Sequence, residues 1–195
     1  MTGVAIGTTR RRGPERLVRS TEELLRDPGY VGTSPEAIQA HARAGQGGMY
    51  HRFAGKSDLA LAAIRRSAEQ VRAEAEAALS GKGTARDRIA AYLSRERDIL
   101  RGCPAGRPAQ DPEIVAGAEL WQPVHETFGR LRERLAAVVT EGKAHGEFAS
   151  KPDPAHLAAS IAAVVQNGYV PARAAGSVEP FDRAAEGVRE LLQTA

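Results

Sequence analysis

Residues 33–59 read Thr-Ser-Pro-Glu-Ala-Ile-Gln-Ala-His-Ala-Arg-Ala-Gly-Gln-Gly-Gly-Met-Tyr-His-Arg-Phe-Ala-Gly-Lys-Ser-Asp-Leu. Ser34 offers an oxygen to an unsatisfied backbone N–H, and Pro35 suits a first helical position, so a helix starts here. Ala37, Ile38 and Ala42 give it one apolar face at helical spacing. A turn follows around Arg43–Gly45. A second short helix is expected from Gln46 to Phe53, with Met49, Tyr50 and Phe53 able to point inward. Gly55 interrupts the pattern, and Ser57 with Asp58 opens a third, longer helix. Two short helices joined by a tight turn are the helix-turn-helix arrangement, whose second helix enters the DNA major groove. An ordinary helix pair in an all-helical protein is the competing reading.

The residues themselves separate these readings. Gly29-Tyr30, Thr33-Ser34, Ile38, Gly47, Tyr50-His51, Phe53 and Lys56 followed by Asp58-Leu59 stand in a fixed order and spacing. In that pattern the stretch resembles the DNA-binding domain of the TetR/AcrR family of bacterial repressors. Three positions depart from the family. Arg43 stands in the turn where the family usually has Gly, and must hold a conformation that Gly adopts more easily. Gly45 replaces a Ser that would cap the reading helix. Gly48 replaces Thr or another small polar residue able to contact phosphate.

Composition fits a two-part protein. The chain has 195 residues, of which 42% are hydrophobic, enough for one large or two small domains. Four Phe, four Tyr and one Trp leave Leu, Val, Ile and Ala to fill the core. Cys103 is the single cysteine, which excludes an intrachain disulfide and suits a reducing cytoplasm. No run approaches the roughly 20 apolar residues of a membrane span, and Val4-Ala5-Ile6 is too short for a signal core. Residues 1–56 carry nine Lys/Arg against five Asp/Glu, while the remainder carries eighteen against nineteen. A basic first third on a near-neutral body is the footprint of a small DNA-binding domain joined to something else.

The fold expected is all-α. Residues 1–12 read as a disordered basic tail, whose Arg10-Arg11-Arg12 run is either a flexible tail or an arm reaching DNA. Residues 13–56 form the helix-turn-helix domain, with a first helix from Pro14 to Arg26 carrying Leu17, Val18, Thr21, Leu24 and Leu25 on one face. Residues 57–195 form a helical effector-binding and dimerisation domain. Its first part, 57–80, is a connector helix with Ala60, Ile64, Val71, Ala75 and Leu79 inward. A helix from Ala85 to Leu100 follows, with Glu96 on the same stripe as Ile89, Leu93 and Leu100. A Glu facing a core is paired, neutral or in contact with a cavity; a rim salt bridge and a pocket-lining role both remain open. The proline-rich stretch Arg101–Glu113 reads as a loop or a broken short helix. From Gly102-Cys103-Pro104 onward it resembles the C-terminal domain of the LmrA/YxaF branch of the family. Cys103 is read as buried and structural, with oxidant sensing the alternative.

A long helix from Glu119 to Lys143 carries Leu120, Val124, Phe128, Leu131, Leu135 and Val138. Trp121, His125 and Phe128 form a neighbouring stripe, either core or pocket wall. Asp153 and Pro154 open the next helix, apolar on nearly every side from Leu157 to Val165, and Pro171 is expected to kink or break it. The last helix, Pro180 to Leu192, carries Phe181, Ala184, Val188, Leu191 and Leu192. The family resemblance implies that these last two helices pair with those of a second copy as a homodimer.

Catalysis finds little support. His41, His51, His125, His145 and His156 are scattered, and neither a metal-ligand motif nor a nucleophile elbow nor a phosphate-binding loop is present. No cofactor is expected. Gln46 is the candidate for reading a base, since its amide pairs bidentately with adenine. Gly47 and Gly48 allow close backbone approach. Tyr50, His51 and Lys56 match family positions that hold phosphates, and Thr33 and Ser34 add backbone-directed contacts. Two-fold symmetry predicts an inverted-repeat operator in double-stranded DNA. The resemblance also implies a small-molecule effector in the C-terminal bundle, with Leu93, Glu96, Trp121, Phe128, Gln166 and Tyr169 as its candidate wall. That wall favours a largely apolar ligand. The expectation is therefore a ligand-released repressor. A same-fold DNA-binding protein controlled by a protein partner is one alternative, and an unrelated helical enzyme or binding module is another.

Overall fold

The computed structural model describes residues 6–45, 49–148 and 153–194, with side chains from residue 13 to residue 193. Among them are eight α-helices, one 3-10 turn and no strand. In chain order the helices are α1 Ile6–Arg26, α2 Pro35–Ala42, α3 Lys56–Leu79, α4 Ala85–Ser94, α5 Pro112–Ala116, α6 Ala118–Ala144, α7 Pro154–Ala175 and α8 Glu179–Thr194. No helix among the described residues is long and apolar enough to cross a membrane.

The chain divides into two compact units: residues 1–68 with 104–124, and residues 69–103 with 125–195. This division does not follow the break at residues 56/57 read from the sequence. The stretch 104–124, read there as part of the second domain, packs with the first. Within that unit, the Asp111 carboxylate binds the backbone of the α1–α2 turn.

In the first unit, Leu17, Ile38, Ala42, Met49 and Leu59 form the core, with Val18, Leu24, Ala44 and Phe53 packed against it. Thr21 lies in the same interior because its hydroxyl donates to the Leu17 carbonyl at 2.8 Å. α3 is tied back to α1 by Glu22, which accepts from the Ser67 hydroxyl and pairs with Arg66. Burial raises the Glu22 carboxyl above the usual glutamate range, and Arg66 offsets part of that. α1 begins at Ile6, ahead of the expected start at Pro14, so the basic run Arg10–Arg12 belongs to a helix rather than to an unstructured tail. Arginine is a good helix former, and a proline costs its helix only the one bond its missing N–H would have made plus local crowding.

In the second unit, α3 buries Val71, Ala75 and Leu79, and α6 buries Leu131, Leu135, Val138 and Val139. Thr84 and Asp87 close a reciprocal capping box at the start of α4, and those hydrogen bonds hold the Asp87 carboxyl below the usual range. α4 stops at Ser94, short of the expected Leu100, because the Arg97 guanidinium takes the closing carbonyls of Tyr92 and Leu93. Leu100 is consequently exposed, and Glu96 lies outside the helical stripe assigned to it. α7 opens on Asp153 and Pro154 as expected but runs through Pro171 to Ala175. Ala172 is fully buried just beyond that proline, and Gly176 closes the helix in a left-handed conformation. α7 and α4 both pack on α8. The approach of α7 to α8 requires Gly168, where a Cβ would stand 2.8 Å from the Phe181 ring.

Candidate functional site

Ser34 caps α2 by accepting from the Ala37 N–H at 3.1 Å, and Pro35 occupies the first turn. The helix ends after two turns in a Schellman arrangement. The Arg43 N–H donates to Ala40 O and the Ala44 N–H to Gln39 O, with Arg43 at φ 49°, ψ 45°. Arg43 thus holds a left-handed conformation, as its place in the turn predicted. That conformation costs a non-glycine residue about 1–2 kcal/mol, part of which glycine returns as unfolded-chain entropy. Arg43→Gly should therefore stabilise the fold by about 0.5–1 kcal/mol and raise the melting midpoint by about 1–4 °C. An unchanged or lowered midpoint in a thermal melt would show that the turn carries no such strain.

Beyond the turn, Met49 and Tyr50 are helical. Met49 is fully buried and takes a weak hydrogen bond from the Gln39 amide at its sulfur. Phe53 is half-buried. Tyr50 does not point inward as the apolar pattern allowed: it is 57% exposed. His51 and Arg52 are exposed beside it. Lys56 begins α3 with its ammonium 4.0 Å from the centre of the Tyr30 ring, and no carboxylate among the described residues pairs with it. The ring face holds the ammonium by its quadrupole and leaves the charge uncancelled. Ser34, Tyr50, His51, Arg52 and Lys56 are all accessible around one small core. Thr33 is placed otherwise: it is buried, and its hydroxyl donates to the Gly29 carbonyl. Gln46, Gly47 and Gly48 lie outside the described residues. Arg52, which the sequence reading did not single out, is a basic side chain in the same exposed segment.

The six residues proposed for an effector wall fall in both units. Trp121 belongs to the first unit and the other five to the second. Leu93 is fully buried, and Tyr169 packs edge-on against Phe181 with ring centres 5.3 Å apart. Burial pushes the Tyr169 hydroxyl far above its usual range. Phe128 and Gln166 are half-buried. Glu96 lines an open surface groove of about 720 Å³ together with Glu74, Ala77, Arg95, Arg97 and Asp98. Its walls are mostly charged. Arg95 pairs with Glu74 and, like Arg97, lies over the Tyr92 ring. Desolvation lowers the proton affinity of Arg97, and the neighbouring Arg95 charge lowers it further.

Residues 17–63 match the family model described as bacterial regulatory proteins, tetR family. Residues 84–188 match the model described as tetracyclin repressor-like, C-terminal domain. No curated protein matches the sequence significantly. Among solved structures, a TetR transcriptional regulator from Chloroflexus aurantiacus is 27% identical with a TM-score of 0.82, over 94% of this chain and 95% of its own. A regulatory protein TetR from Rhodobacter sphaeroides is 23% identical with a TM-score of 0.79, over 90% of this chain and 96% of its own. A cysteine-substituted form of the regulator CifR, solved with a 26-base-pair operator duplex, is 20% identical with a TM-score of 0.76, over 90% of this chain and 94% of its own.

Proposed function

The chain belongs to the TetR family of bacterial regulatory proteins, and on that premise we propose that it is a homodimeric, sequence-specific repressor that a small molecule releases from an inverted-repeat operator. The observation that carries the DNA reading is the exposed set Ser34, Tyr50, His51 and Arg52, with Lys56 unneutralised beside it, on a buried helix-turn-helix core. Groups of this kind position a protein on phosphates, while base edges supply specificity. Gln46 is proposed as the base reader and Gly47 and Gly48 as the points of close backbone approach. Thr33 is proposed to act through the turn it braces rather than by its engaged hydroxyl. The fold itself is one that CifR lays on operator DNA.

Two copies are proposed to pair through α7 and α8. On α7, Ala159, Ala163 and Val170 are exposed at helical spacing; on α8, Leu191 is exposed. The effector is proposed to enter the second unit near Leu93, Glu96, Phe128, Gln166 and Tyr169. An apolar body among these residues and a polar group in the open, charged groove at Glu96 would suit both surroundings. Effector and operator would oppose each other by binding different states, with a coupling typically about 1–3 kcal/mol.

Selection from random duplex DNA at a fixed, near-physiological salt concentration tests this reading. An enriched inverted repeat supports it; no enrichment by the folded, dimeric protein sinks it. Lys56→Ala should weaken binding to all sequences alike and, because the dimer carries two copies of Lys56, reduce the magnitude of the salt slope by about two. An unchanged slope would remove Lys56 from the phosphate contacts.

A further inference from the structure

Asp111 does two jobs with one carboxylate. Its Oδ1 accepts from the backbone N–H groups of Glu113 and Ile114, which caps α5. Its Oδ2 accepts from the N–H groups of Tyr30 at 2.8 Å and Val31 at 3.1 Å, some eighty residues earlier in the chain. The side chain is almost fully buried. The clamped turn is shaped for it: Gly29 has φ +81°, and a Cβ there would stand 3.1 Å from Asp111 Oδ2 and 3.4 Å from the Arg107 guanidinium. A side chain at Gly29 would thus be both strained and crowded. The turn leads through Thr33, whose hydroxyl binds Gly29 O and whose N–H binds Tyr30 O, straight into the Ser34 cap of α2. Tyr30 in turn carries Lys56 on its ring. The Asp111 stretch, 104–124, packs with the first unit but is joined at both ends to the second.

We infer that Asp111 is a positioning residue for DNA binding: it fixes the Tyr30 backbone, and through the Tyr30 ring the Lys56 ammonium, in the attitude the operator requires. The inference rests on the DNA-binding reading above. It follows from acceptor arithmetic. A carboxylate supplies oxygens to both N–H pairs, whereas an asparagine has one oxygen and turns its NH₂ toward donors on the other side. Either the cap or the turn must then be released, although size and shape barely change.

The test is a double-mutant cycle on affinity for the selected operator, with the parent, Asp111→Asn, Lys56→Ala and the pair measured at one salt concentration. Loss of charged hydrogen bonds of this kind predicts about a tenfold weakening for Asp111→Asn. The decisive expectation is non-additivity: Lys56→Ala should cost much less in the Asp111→Asn background than in the parent. A merely structural role would lower the melting midpoint and leave the two effects multiplicative, which would overturn the inference. So would an Asp111→Asn protein that binds as the parent does. Should Asp111→Asn fail to fold, amide exchange on the intact parent decides. Slow exchange at Tyr30 and Val31, slowed further by operator DNA, supports the clamp, and fast exchange there rejects it. A parent that selects no duplex removes the DNA reading and this inference with it. A parent that selects one and gives an additive cycle removes this inference alone.

Discussion

Ile38→Ala is expected to cost about 2–5 kcal/mol, as deletions of fully buried aliphatic side chains do, and to abolish operator binding at physiological temperature. Ile38 has no solvent exposure and touches a core of only a few side chains, chiefly Leu17, Ala42, Met49 and Leu59. α2 spans eight residues, far below the length at which an isolated helix holds itself, about 12–15 residues. Its helical state therefore depends on this packing. The helix carries the cap at Ser34 and the strained turn at Arg43, so loosening it disorders the presentation of everything that follows. Ile38→Val should cost only about 0.5–1.5 kcal/mol and keep binding. Denaturant titration of the two variants measures the gradation. An alanine variant within 1 kcal/mol of the parent would mean that α2 is held by something other than this core.

What could be read in advance was local. Ser34-Pro35 and Asp153-Pro154 announced helix starts because a capping oxygen and a proline have few other uses together. Ala60, Ile64, Val71, Ala75 and Leu79 announced one face of α3 because their spacing follows the helical repeat, and all five are buried. Arg43 was legible as strain through the family resemblance, which places a glycine in that turn, and it holds a left-handed conformation. The exposed pair Tyr50 and His51 was legible only through family resemblance, since periodicity alone sent Tyr50 inward.

The misreadings share a cause, which is that the deciding partner lies elsewhere in the chain or off the helical repeat. α4 ends at Ser94 because Arg97 folds back on its carbonyls, and no periodicity encodes that. Glu96 thereby leaves its stripe for the wall of an open surface groove. Pro171 is tolerated inside α7, where Ala172 packs fully beyond it. Asp111 is the clearest case. It was not singled out in a stretch read as a loop or a broken short helix, yet it caps α5. Its second pair of hydrogen bonds, to Tyr30 and Val31, appears only when the chain has folded. That pair ties the stretch 104–124 to the α1–α2 turn of the first unit.

Leu191→Glu combined with Val170→Glu is expected to split the proposed dimer and to weaken operator binding by about a thousandfold. Leu191 is 69% exposed and Val170 63% exposed, although both lie in helices whose opposite faces are buried. α8 turns Phe181, Ala185 and Leu192 into its own unit and leaves Leu191 outside. At Gly187, one turn earlier, nothing lies within 4 Å of where a Cβ would be. Around a two-fold axis each substitution acts twice, and burying unpaired carboxylates against apolar groups costs several kcal/mol. A combined loss near 4 kcal/mol corresponds to about a thousandfold in the dimerisation constant. Operator affinity follows, because two linked helix-turn-helix units reach a high effective concentration on two half-sites and one unit alone does not. The single chain should keep its helix content, since neither side chain belongs to its core. Sedimentation of the variant alongside the parent gives the answer. A dimeric variant with parental operator affinity would move the interface away from α7 and α8. A monomeric variant that still bound a single half-site weakly would keep the DNA contacts in place and assign the lost factor to pairing.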